Sequence, residues 1–107
     1  MNRLDVQIFQ SSRPSKKFMA VINNDTVIHF GQHGASDYTV HKDKERKERF
    51  LKRMATHIKN NGNNYYAPIF WSTHLLWNKP TLKESIKWIE KNYPLDIEFV
   101  AAISTQK

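Results

Sequence analysis

Lys17-Phe18-Met19-Ala20-Val21-Ile22-Asn23-Asn24-Asp25-Thr26-Val27-Ile28-His29-Phe30 sets two apolar runs, rich in β-branched and aromatic residues, around three consecutive turn-forming side chains. Asn and Asp tolerate left-handed backbone and bond to their own turn, so the stretch reads as a β-hairpin over about 17–30. Upstream, Val6 and Ile8, with Leu4, alternate with polar residues over Asp5 to Phe9, the period of a further strand, and residues 11–15 read as a loop. Downstream, Gly31 and Gly34 bracket a tight turn, and Tyr38-Thr39-Val40 is either a short strand or an extended lead into a helix.

That helix is predicted at about 43–59, with Asp43 as its cap. At 100° per residue Phe50, Leu51, Met54 and Ile58 form one apolar stripe, the pattern of a helix packed on a sheet. Beside the stripe, Lys42, Arg46, Arg49 and Arg53 line up as a basic ridge, joined by Lys44. Glu45 with Arg49 and Glu48 with Lys52 are acid-before-base pairs four residues apart, which would hold the helix. It must end near Asn60-Asn61-Gly62-Asn63-Asn64.

The next segment, Tyr65 to Pro80, carries the densest aromatic content, including Phe70, Trp71 and Trp77, which serve either as core or as docking surface. Ser72 is placed to cap a short helix over Thr73 to Trp77. Thr81-Leu82-Lys83-Glu84 has the form of a capping box in which Glu84 reaches back to the Thr81 backbone, and it opens a helix over about 82–92 that Pro94 closes. Ile97, Phe99, Ala101 and Ile103 alternate as a final strand would. The fold class expected is α+β: a small antiparallel sheet, the hairpin plus terminal strands, packed by the basic helix at about 43–59 and a second helix at about 82–92. One domain accounts for all 107 residues.

The formal charge is +7, and residues 42–59 hold eight basic and three acidic side chains, so five of those seven charges sit there. Such a concentration favours an anionic partner, whether nucleic acid, an acidic protein surface or a lipid headgroup. With no cysteine, disulfides, thiol catalysis and zinc-thiolate sites are excluded. No apolar run is long enough to span a bilayer and the first residues lack the apolar stretch of a signal peptide, so a soluble protein that stays inside the cell making it is expected.

Phrases at His29-Phe30-Gly31 through Gly34, Ser36-Asp37-Tyr38-Thr39, His41-Lys42-Asp43-Lys44-Glu45-Arg46-Lys47 and Phe70-Trp71-Ser72 with Leu76-Trp77-Asn78-Lys79-Pro80 resemble a family of short uncharacterised proteins of large nucleocytoplasmic DNA viruses. The likeness runs over about residues 16–87. Pro68-Ile69 departs from it, since a small residue and Gly more usually precede the Phe-Trp-Ser word, and the tail from Tyr93 lies outside it. The resemblance implies a viral origin and little else, the family being functionally unassigned; a protein made in the host cytoplasm and located in the virion is expected from the virion structural reading below.

His29 and His33 bracket a turn, and with His41 they read as turn and surface residues rather than as zinc ligands. Asp37, His41 and Asp43 carry the residue types of a metal-dependent nuclease, but nothing fixes their pairing and Asp43 is needed as a helix cap. Neither an enzyme nor a cofactor is therefore expected. Two function classes follow. The first is a small basic virion structural protein, a minor capsid or capsid-associated module docking on other virion proteins such as a major capsid protein. The second is a nucleic-acid-binding protein that contacts phosphates through the basic helix, residues 42–59. Both rest on Lys42, Lys44, Arg46, Arg49 and Arg53 as the anion-binding residues, with Gly31 and Gly34 shaping the turn beside them.

Overall fold

A computed structural model of the chain describes residues 3–100. The hairpin consists of β2 (Lys16–Ile22) and β3 (Thr26–Gln32), paired antiparallel with Lys16 opposite Gln32 and Ile22 opposite Thr26. Asn23 and Asn24 take φ of 52° and 55°, and the Asp25 N–H donates to the Ile22 carbonyl at 3.0 Å, as a type I′ turn requires. β1 (Leu4–Gln10) pairs antiparallel with β2, and β4 (Leu95–Phe99) lies on the other side of β1. The order is β3-β2-β1-β4.

β4 runs parallel to β1, with Val6 opposite Ile97, so the four-stranded sheet is mixed where an antiparallel one was expected. Alternation along a strand reports which face is buried but not which way a distant neighbour runs. Ala101 and Ile103 of the predicted last strand lie outside the described residues.

One sheet face is apolar and covered: Val6, Ile8, Ala20, Ile22, Ile28 and Phe30 are each buried. α4 (Pro68–Trp71) and the π-helical stretch Ser72–Leu76 that continues it lie over this face, together with α5 (Leu82–Asn92). Pro68 suits the first turn of α4, where its missing N–H has no helical partner to lose. The Trp77 N–H then donates to the Ser72 carbonyl, five residues back, and this widened turn lets Phe70, Trp71, Leu75 and Leu76 all reach the core. The predicted helix over Thr73 to Trp77 thus starts earlier and is wider than expected. α5 keeps its predicted bounds, but the Glu84 carboxylate accepts from the Thr81 hydroxyl at 2.9 Å rather than from its backbone, while that hydroxyl accepts from the Glu84 N–H.

Three expectations around the basic helix are corrected. Tyr38–His41 is a helical turn, α1, not a strand, because the buried Asp37 carboxylate accepts from the Thr39 N–H and caps it. The single helix at 43–59 is two, α2 (Lys44–Arg53) and α3 (Ala55–Asn61), which meet in a bend at Met54. Neither covers the sheet. Of the stripe Phe50, Leu51, Met54 and Ile58, Phe50 alone is buried, and the bend turns α3 toward α4.

A candidate basic docking groove

Three contacts hold α2 in place. Asp43 caps it, its carboxylate accepting from the backbone N–H groups of Glu45 and Arg46. The Phe50 ring stacks on Trp77 at 4.5 Å. The Lys47 ammonium donates to the Asn78 carbonyl at 2.7 Å and sits 5.0 Å from the centre of the Tyr38 ring. Burial, and then the neighbouring charges of Lys79 and Lys44, push the Lys47 pKa below the usual lysine value. Lys47 is therefore a structural tether.

With α2 fixed on this side, Arg46, Arg49 and Arg53 line a groove of about 530 Å³ between the helix and the start of the hairpin, where Lys16 and Lys17 join them. Phe50, Leu76 and Trp77 supply apolar lining. Asp37 is the one carboxylate there, and it is already committed. The Lys17 ammonium donates to it at 2.5 Å and to the Ala35 carbonyl at 2.7 Å, and Asp37 is 3% exposed. Lys16, Arg46, Arg49 and Arg53 have no carboxylate within 4 Å among the described residues, whose ion pairs are Arg3 with Asp96 and Lys17 with Asp37. The predicted pairs of Glu45 with Arg49 and Glu48 with Lys52 do not close, which leaves their guanidinium and ammonium groups to solvent. Arg53 instead lies over the Phe50 ring, 5.8 Å from its centre.

The predicted ridge is thus split. Arg46, Arg49 and Arg53 come together in the groove. Lys42 does not: it precedes the helix, takes a left-handed φ of 58°, and donates to the carbonyls of Thr39 and Pro80, both at 2.8 Å. The ridge extrapolated helical spacing back through Asp43, which the cap forbids. Lys44 lies on the side of Lys47, away from the groove lining. The two lysines the ridge lacked, Lys16 and Lys17, open β2, and the signal for them was their position opposite the glycine turn once the hairpin is paired.

Gly31 and Gly34 both have positive φ, 76° and 82°. At Gly31 space is short as well, since a Cβ would stand 3.0 Å from Leu76 Cδ1 and 3.1 Å from Lys17 Cβ. Phe70 and Trp71 are fully buried and belong to the core; the Trp71 indole N–H donates to the Tyr65 carbonyl at 2.9 Å. Trp77 is half-buried and reaches the groove.

Among the described residues no three His, Asp or Glu side chains converge as a metal site would require. Asp37 and Asp43 are caps, the His41 Nδ1 accepts from the Asp43 N–H at 2.9 Å, and the His29 Nδ1 lies 2.7 Å from the Ser11 hydroxyl. His33 is exposed in the glycine turn.

Residues 6–54 match the model of a family of unknown function (DUF5754). That span runs from β1 to the end of α2 and includes every cation of the groove, whereas its aromatic lining from Trp77 lies beyond. No curated protein and no solved structure matches the chain.

Proposed function

We propose that this protein is a small non-enzymatic docking module that seats an acidic protein surface in the groove beside α2. The observation that carries this reading is the set of Lys16, Arg46, Arg49 and Arg53 around one concavity whose single carboxylate is neutralised by Lys17. A planar guanidinium holds a carboxylate through two parallel hydrogen bonds, and the apolar lining favours side chains over bare phosphate. The finer reading is a capsid-associated protein of a large nucleocytoplasmic DNA virus, made in the host cytoplasm and carried in the virion against a major capsid protein. It rests on the resemblance of the His29–Gly34, His41–Lys47 and Phe70–Pro80 words.

The same cations favour a second reading, contact with nucleic-acid phosphates. Reversing Arg46, Arg49 and Arg53 to Glu separates the two. Under the docking reading, an acidic polypeptide binds the nuclease-treated protein and is lost in the reversed variant, while duplex DNA binds weakly. Duplex affinity of about 10⁻⁸ M at physiological salt would replace it with the nucleic-acid reading. In that case log affinity falls against log salt with a slope of about −0.9 per phosphate neutralised. The virion reading further expects the protein in purified particles, leaving with the shell and not with the genome.

A further inference from the structure

The basic groove does not end at Arg53. A second concavity of about 370 Å³ adjoins it, lined by His57, Asn61, Ala67, Pro68 and Ile69, and the two share Phe50, Met54 and Ser72. The bend at Met54 makes this continuity: α2 presents guanidinium groups to the first concavity, and α3 turns away to leave an apolar trough against the start of α4. No acidic side chain and no Lys or Arg lines the trough.

We infer that the two concavities form one channel, and that it reads an extended peptide segment in which acidic residues are followed, in either chain direction, by a large apolar side chain. This rests on the docking reading and specifies its partner. Charge complementarity selects the acidic half and continuity with the basic groove selects the anchor, whereas a uniformly charged phosphodiester chain has nothing to place in an apolar trough. The spacing follows from helix geometry. Arg46 to Arg53 spans about 10 Å at 1.5 Å per residue, which matches about three residues of extended chain at 3.3 Å each. His57 lies four residues on across the bend at Met54, at most about 6 Å of helical rise, so the apolar side chain belongs within about two residues of the acidic ones.

Two labelled synthetic peptides test this by fluorescence anisotropy: an Asp/Glu run with Leu at the anchor position, and the same peptide with Ser there. The Leu peptide is expected to bind at least about tenfold more tightly, the factor available from burying one Leu-sized side chain. Ile69→Ser, with its fold checked by circular dichroism, should abolish that preference while leaving the Ser peptide's affinity unchanged. Arg49→Glu with Arg53→Glu should weaken both peptides together. Equal binding of the two peptides, or a preference that survives Ile69→Ser, overturns the channel and leaves the basic groove standing. Failure of both peptides to bind overturns the docking reading and the channel with it.

Discussion

The rings of Phe50 and Trp77 stack with their planes 2° from parallel, and through this contact the basic helix is fastened to the segment that covers the sheet. Phe50 is the one buried residue of α2, so this aromatic pair is the apolar part of what positions the three groove arginines, beside the polar Lys47 tether.

Phe50→Ala should therefore cost about 3–5 kcal/mol, for lost burial and for the gap left beside Trp77. Met54→Ala, at a half-buried position, should cost less than about 2 kcal/mol, although the two residues share one predicted apolar stripe. Urea titrations of both variants check this, and equal losses would contradict the packing described for α2.

A comparison of two glycines isolates the effect of space from that of backbone. Gly34→Ala meets no atom within 4 Å and bears only the left-handed backbone penalty, about 1 kcal/mol. Gly31→Ala carries the same penalty and also presses on Leu76 and Lys17, so it should lose at least about 1 kcal/mol more. Thermal melts ranking Gly34→Ala below Gly31→Ala would contradict this.

His74 gives the fold a predictable acid sensitivity. Its ring stacks on Trp88 and meets the Gly62 carbonyl at 2.8 Å through Nε2. Burial holds its pKa below the usual 6.5, with the Gly62 hydrogen bond pulling the other way. The unfolded chain takes up the proton more readily, so the stability supplied by the neutral ring is complete above 6.5 and is lost as pH falls from there through the lowered native value. The His29 pKa is lowered too, by burial and then by Arg13 and Lys16, and it adds to the same slope. Tm measured across this window should fall with pH, and His74→Gln should reduce the slope without removing it. A slope unchanged in His74→Gln would show that another group is responsible.

Lys17 and Asp37 tie the hairpin to α1. Asp37→Asn retains a capping side chain but leaves the ammonium without its counter-charge, and it should cost about 1–3 kcal/mol. Adding Lys17→Met should recover part of that loss, because it removes the unpaired charge. A double-mutant cycle showing no coupling between the two positions would be inconsistent with this pair.

What the sequence revealed tracks how local each cause is. The hairpin was legible because Asn23-Asn24-Asp25 carries its own turn geometry, and α5 because Thr81 and Pro94 mark its two ends. Lys42 lies off the ridge that helical spacing predicts, because Asp43 caps α2 and the helix begins only after it. The bend at Met54, the widened turn after Trp71 and the parallel placement of β4 all depend on partners distant in the chain. Of the groove, the three arginines were readable from helical spacing. Lys16 and Lys17 reach it only through pairing of β2 with β3, and Asp37 is silenced only by the fold.

β1 stands in the interior of the sheet, with one neighbour made soon after it and the other, β4, made near the end of the chain. During synthesis at the ribosome the hairpin and β1 can assemble early, but the Leu4–Ile8 flank that receives β4 stays open until residues 95–99 have emerged. That flank offers unpaired backbone groups beside Val6 and Ile8 to any other nascent chain. Chains released before residue 95 should therefore aggregate more than those that incorporate β4, in which the Leu4–Ile8 flank is paired and the open edge passes to the short β4.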